Sequence, residues 1–340
     1  MAQALHVGWP TAEQPPRCPA GTLPRTMCQL YALNSNTPTA VTFSLTGFCA
    51  RGGHTAAHAD GWGIAFHHVG GSQLFIDDQP ACASPLAAFL RQHPIRATTV
   101  LAHIRQATRG AVQLANCHPF QRQWAGRCWS FCHNGTLHDF APALAARHQP
   151  LGATDSEAAF GWLLQQLQQR FGEQSPEPSD LAPALAELAR QVAEHGVFNW
   201  LLTDGQHTYA HCSTRLHWLQ RAHPFAPARL VDTDLTLDLA RDNGPLDRMV
   251  LVATEPLTHD EPWQAMRPGE LLVLHDGRIA QRLQRAATAA EVTAAASPSP
   301  AITASPADPA HPPQPPPPAQ PAHPASASPG LQPASARHVV

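Results

Sequence analysis

Met27-Cys28-Gln29-Leu30-Tyr31-Ala32-Leu33 is the stretch at which the chain changes character. Before it, residues 1–26 carry Pro10, Pro15, Pro16, Pro19 and Pro24 and show no hydrophobic period. After it comes an apolar run of strand length, and the switch falls directly behind a methionine, the residue type at which translation starts. Cys28 is therefore the expected first residue of the working protein, with Met27 as the start codon. Removal of residues 1–27 as a propeptide is the other route to the same terminus. A terminal cysteine carries two reactive groups. Its thiol is a nucleophile, and its α-amine titrates near 7.7–8.0 against about 8.5 for a free thiol, so the two can share a proton. Inside a peptide bond that nitrogen accepts no proton, and an attached leader would silence the site.

Around this stretch the composition sets bounds. The chain has 340 residues, 43% of them hydrophobic, which is ample for a large buried core. A net charge of −3 gives no electrostatic footprint for nucleic acid or an anionic membrane. All 22 basic residues are arginine, which rules out a Schiff-base lysine and a P-loop lysine. The eight cysteines are irregularly spaced and the 21 histidines are scattered without an H-E-x-x-H or C-x-x-C framework, so neither a metal nor a disulfide scaffold is expected. No cofactor is expected either. With no run near 18 apolar residues and no signal-peptide core in 1–26, a cytoplasmic location is expected. From about Ala286 the sequence collapses to Ala, Pro, Ser and Thr, including Pro315-Pro316-Pro317-Pro318, and reads as a disordered tail over 286–340.

Between leader and tail, strand patterns fall at 28–33, 62–67, 72–76, 98–104, 127–132, 197–203, 207–212, 249–254 and 271–275. Helical spacing places Phe160, Leu163, Leu164, Leu167 and Phe171 on one face of a helix over 156–171, and Leu181, Leu185, Leu188 and Val192 on one over 181–194. Strands come in neighbouring pairs and the helices gather mid-chain. The class this implies is α+β with antiparallel sheets.

Four polar clusters punctuate the strand ends: Asp60-Gly61-Trp62-Gly63, the run from His103 to Gly110, His133-Asn134-Gly135, and Thr154-Asp155-Ser156-Glu157. Each has an ordinary structural explanation. Asp-Gly and Asn-Gly are hairpin-turn pairs, Thr154 with Glu157 forms a capping box, and Arg105 could be a surface residue. Cys128, Ser130 and Cys132 share one strand face and suit small buried positions. Trp129, Trp162, Trp200 and Trp218 read as core.

Taken in order with Cys28, Arg51-Gly52-Gly53 and Asn116-Cys117-His118-Pro119-Phe120, these clusters resemble the class II, N-terminal-nucleophile (Ntn) glutamine amidotransferases, most closely their stand-alone YafJ-like branch. The resemblance covers residues 28 to about 280. It implies an αββα four-layer sandwich of two antiparallel sheets over a single domain at 28–285. It also implies roles. Cys28 would be the nucleophile that forms a γ-glutamyl thioester, with its own α-amine as base. Asn134 and Gly135 would form the oxyanion hole. Arg105 would grip the substrate α-carboxylate and Asp155 the α-amino group, with Thr108 among the substrate-binding residues. Gln106 and Arg109 stand where better-known members carry Trp and His. No second domain is visible for an acceptor, so a separate ammonia-accepting partner is implied. Two other readings stay open: a hydrolase of another γ-glutamyl amide or peptide, and a non-catalytic scaffold that keeps residues 1–27.

Overall fold

Immediately after Cys28 the chain enters the strand at the middle of one of two sheets. The computed structural model describes residues 28–284 except 57 and 109; the expected leader, Arg109 and the expected tail lie outside the described residues. In chain order the elements are β1 (Gln29–Ala40), α1 (Thr42–Ala50), β2 (Trp62–His68), β3 (Gly71–Asp77), α2 (Pro85–Gln92), β4 (Arg96–Ile104), β5 (Phe120–Trp124), β6 (Arg127–Asn134), α3 (Asp155–Phe171), α4 (Pro178–Ala193), β7 (Asn199–Thr203), β8 (Thr208–Cys212), β9 (His217–Ala222), β10 (Pro227–Arg229), β11 (Thr236–Asp238), β12 (Arg248–Ala253), β13 (Gln264–Ala265), β14 (Glu270–His275) and β15 (Arg278–Gln284). One sheet has the order β13-β9-β12-β1-β4-β2-β3 and the other β15-β14-β8-β7-β6-β5, and β10 with β11 forms a separate ribbon. Every pairing is antiparallel.

The period of two in β1 sorts its side chains between layers. Leu30 and Ala32 meet Leu101, Val250, Cys132, Leu201, Ala210 and Leu272, the layer between the sheets. Tyr31 and Leu33 point the other way, onto Leu45 and Phe48 of α1 and Leu90 of α2. On the far side of the second sheet, Trp129, Phe131, Trp200 and Leu202 pack against the stripes of α3 and α4 foreseen from their spacing. The result is helix, sheet, sheet, helix, the αββα sandwich anticipated above. The Thr154 side chain caps α3 by accepting from Glu157 N at 3.2 Å, a contact worth about 1 kcal/mol.

Two helices escaped the sequence reading, so the expectation that helices gather mid-chain is corrected. In α1, Phe43, Ser44, Leu45, Gly47, Phe48, Cys49 and Ala50 are all buried, and a helix enclosed on every side shows no stripe. Helix α2 is only 8 residues long, started by Pro85 and capped by Ser84. Strand β15 carries Arg278, Gln281, Arg282 and Gln284 on a sheet edge and lacks an apolar run. Among the described residues no helix is long and apolar enough to cross a membrane.

Register brings the polar clusters to one end. Gln29 and Trp62 both lie opposite Ile104, Tyr31 lies opposite Ala253, and in the second sheet Asn134 lies opposite Asn199. The residues just beyond these pairs form the candidate site.

Candidate active site

Because Ile104 pairs with Gln29, the chain leaving β4 runs past Cys28. Gln106 N donates to the Cys28 sulfur at 3.1 Å, and the thiol donates to Gln106 O at 3.2 Å. The carbonyl of Cys28 accepts from Asn134 Nδ2 at 2.5 Å. Burial pushes the thiol up to about 11, opposed by the Gln106 bond and the charge of Arg105. At neutral pH only about one thiol in 10⁴ would ionise unaided. A thiol so placed would need a base beside it to act as a nucleophile.

Asn134 and Gly135 stand at the end of β6, and the chain there does not form the two-residue hairpin that Asn-Gly usually signals. His133 explains the local path. Its Nε2 lies 2.9 Å from Val197 O, which can only accept, so Nε2 carries the proton and Nδ1 accepts from Ser156 Oγ at 2.8 Å. Burial holds this imidazole below its ordinary range, in the neutral form that such a bridge requires. Asn134 is fully buried, and its Nδ2 also reaches Thr254 Oγ1 at 3.3 Å, while its Oδ1 has no hydrogen-bond partner. At Gly135 a Cβ would lie 1.8 Å from Val197 O, so only glycine fits.

Arg105 is not the surface residue its position allowed. It is 3% exposed, and its guanidinium donates to the carbonyls of Asp60 at 3.3 Å, Ala111 at 3.2 Å and Gly110 at 3.1 Å. Asp60 in turn accepts from Ala107 N at 2.7 Å, so the loop after β4 is wound around its own arginine. A carboxylate is a stronger acceptor than these neutral carbonyls and could displace one of them. Asp155, at the first turn of α3, accepts from Leu137 N at 2.7 Å and Ser156 N at 2.9 Å. Thr108 accepts from the Thr136 hydroxyl at 3.1 Å. Behind Arg105, burial and neighbouring positive charge hold His103 and His118 well below their ordinary range, which leaves the arginine as the charged group.

The structure brings the six residues expected from the sequence to one end of the sheets, joined in part by direct contacts. Cys28 and Asn134 touch directly; Thr108 and Asp155 brace the turn that follows Gly135; Arg105 adjoins Gln106. Other contributors were not foreseen, or, like Arg51, were named in a motif without a role. Thr254 accepts from Leu30 N at 2.9 Å as well as from Asn134, pinning the start of β1. Arg51 reaches Gln29 Oε1 at 3.3 Å, Glu255 O at 3.0 Å and Asp232 at 2.7 Å. The capping box is half formed, for the Glu157 carboxylate turns to Leu151 N, Gly152 N and Arg122 instead of the cap residue. A polar Thr254-Glu255 pair ending the apolar run Val250–Ala253 was the one signal for Thr254. Among the described residues no group of three or more His, Cys, Asp or Glu could hold a metal ion.

Residues 27–298 match the family of glutamine amidotransferases class-II. The chain is 44% identical over 244 residues to "Putative glutamine amidotransferase YafJ" of Escherichia coli (strain K12), covering 72% of this chain and 96% of that protein. It is 39% identical over 253 residues to a "Putative glutamine amidotransferase" of Haemophilus influenzae, covering 74% and 86%. The solved structure of a predicted glutamine amidotransferase from Pseudomonas aeruginosa PA01 is similar at 38% identity and a TM-score of 0.58, over 75% of this chain and 99% of that one. The chain belongs to the class II glutamine amidotransferases.

Proposed function

We propose that the protein is a cysteine-dependent glutaminase in which Cys28, once its α-amine is free, releases ammonia from the side-chain amide of glutamine for a separate acceptor protein. One arrangement carries the reading: the Cys28 sulfur lies 3.1 Å from Gln106 N while Asn134 reaches the carbonyl of the same cysteine at 2.5 Å. Nucleophile and amide donor converge on one residue.

In the proposed reaction the thiol proton passes to the α-amine and the sulfur bonds to the amide carbon, moving the π pair onto oxygen. Asn134 Nδ2–H and Gly135 N–H meet that oxyanion, a contribution of about 3–4 kcal/mol per donor. Asn134 gives up its 3.3 Å bond to Thr254, the longer of its two, to do so. The carbon–nitrogen bond breaks, the α-ammonium returns its proton to the leaving nitrogen, and ammonia departs from a γ-glutamyl thioester. Water then attacks with the same amine as base, releasing glutamate and the thiol. Arg105 and Asp155 take the α-carboxylate and α-amino group, and Thr108 lines the same side. Residues 28–285 would be the catalytic domain.

Ammonia release by protein beginning at Cys28, with glutamine and γ-glutamyl peptides run side by side, tests this. Release from glutamine is expected. Turnover of the peptides alone would replace the glutaminase with a γ-glutamyl hydrolase.

A further inference from the structure

Three segments carry the residues of the candidate site: the loop after β4 (105–108 and 110–111), the turn 134–137 and the start of α3 at 153–156. Two of their mutual links are made by residues that already have a place in the site, Thr108 with Thr136 and Asp155 with Leu137. The third is made by Asn116, which belongs to none of the three. Its Nδ2 donates to Ala111 O at 2.9 Å, the same carbonyl that receives Arg105, and its Oδ1 accepts from Ala153 N at 2.8 Å, one residue before the α3 cap.

The side chain is fully buried. Its orientation is fixed, because a carbonyl can only accept and a backbone N–H can only donate. An aspartate would lose the first bond, and an aliphatic residue would lose both. Gly110 and Gly152 leave room for the amide: a Cβ would lie 2.8 Å from its Nδ2 at 110 and 2.3 Å from its Oδ1 at 152.

We propose that Asn116 is a positioning residue that sets the separation of Arg105 from Asp155 and so makes the site demand both the α-carboxylate and the α-amino group of its substrate. This rests on the roles given to Arg105 and Asp155 under the proposed function. The two groups sit on a single carbon of glutamine, so a shift of about 1 Å between their receptors costs on the order of 10²-fold. An analogue with only one of the groups does not sense that separation.

The test uses the protein beginning at Cys28 and three amides: glutamine, glutaramic acid, which lacks the amino group, and 4-aminobutanamide, which lacks the carboxylate. For Asn116→Ala, kcat/KM on glutamine should fall about 10²-fold, mainly through KM. The preference for glutamine over each analogue should shrink at least about tenfold. Alkylation of Cys28 by iodoacetamide should keep its rate. Asn116→Asp, which keeps an acceptor for Ala153 N but loses the bond to Ala111 O, should shrink the preference in the same sense, and it decides the matter alone if Asn116→Ala does not fold. An equal loss on all three amides, with the preference unchanged, overturns the role of Asn116 while leaving the glutaminase standing. Absence of ammonia release from glutamine by the unaltered protein overturns both.

Discussion

Cys28 and Cys132 are both free thiols, and desolvation pushes both above the ordinary range, Cys28 to about 11. Cys132 lies between the sheets among Leu201, Ala210 and Leu272, and burial is the one influence on its thiol. Cys28, just outside the sheet end, has Gln106 N on its sulfur, the charge of Arg105 nearby and Asn134 on its carbonyl. Enclosure alone raises the thiol in both places. Under the proposed function, Cys28 would differ through its free α-amine, with the polar partners placed around it.

Substitution should separate the two sharply. Cys28→Ala is expected to remove ammonia release by about 10⁶-fold, the scale for losing a nucleophile, as read by single-turnover assay on glutamine. Asn134→Ala takes away the nearest amide donor and should lower kcat by about 10²–10³-fold, with the unfolding midpoint checking that the protein stays folded.

Acid extends the comparison to the histidines. Burial lowers His67 and His211 from 6.5 to about 4, so each is neutral when folded and binds a proton more readily when unfolded. Their stabilising contribution is present above pH 6.5 and is lost as pH falls toward 4. The loss reaches about 3 kcal/mol for each once the folded rings are protonated too. Denaturant midpoints between pH 7 and pH 4 should fall steeply, and a flat profile would contradict the burial of these rings. The smallest effect belongs to Cys132→Ala, expected to cost about 1 kcal/mol in unfolding free energy and to leave turnover unchanged.

What the sequence disclosed follows from how each signal arises. The stripes of α3 and α4 were legible because each helix buries one face at a fixed period, and β1 because burial on both faces leaves a continuous apolar run. Helix α1 was not, since burial on all sides erases periodicity. In the candidate site, Asn134, Gly135 and Asp155 were singled out through the resemblance, as members of an ordered set of motifs, since each alone has an ordinary structural explanation. Gln106 was noted as a position of the motif, but not its contact with the Cys28 sulfur, which its backbone makes; Thr254 escaped because its partners Leu30 and Asn134 lie 224 and 120 positions away. Arg105 was found as a residue but its setting was not. Whether a guanidinium is open or wrapped in carbonyls depends on a loop path that spacing does not encode.

Ammonia release from glutamine by the 340-residue chain, set against a chain beginning at Cys28, with intact mass confirming each terminus, tests the account most directly. It predicts release only where the Cys28 amine is free. Equal release from protein that verifiably retains residues 1–27 would contradict it.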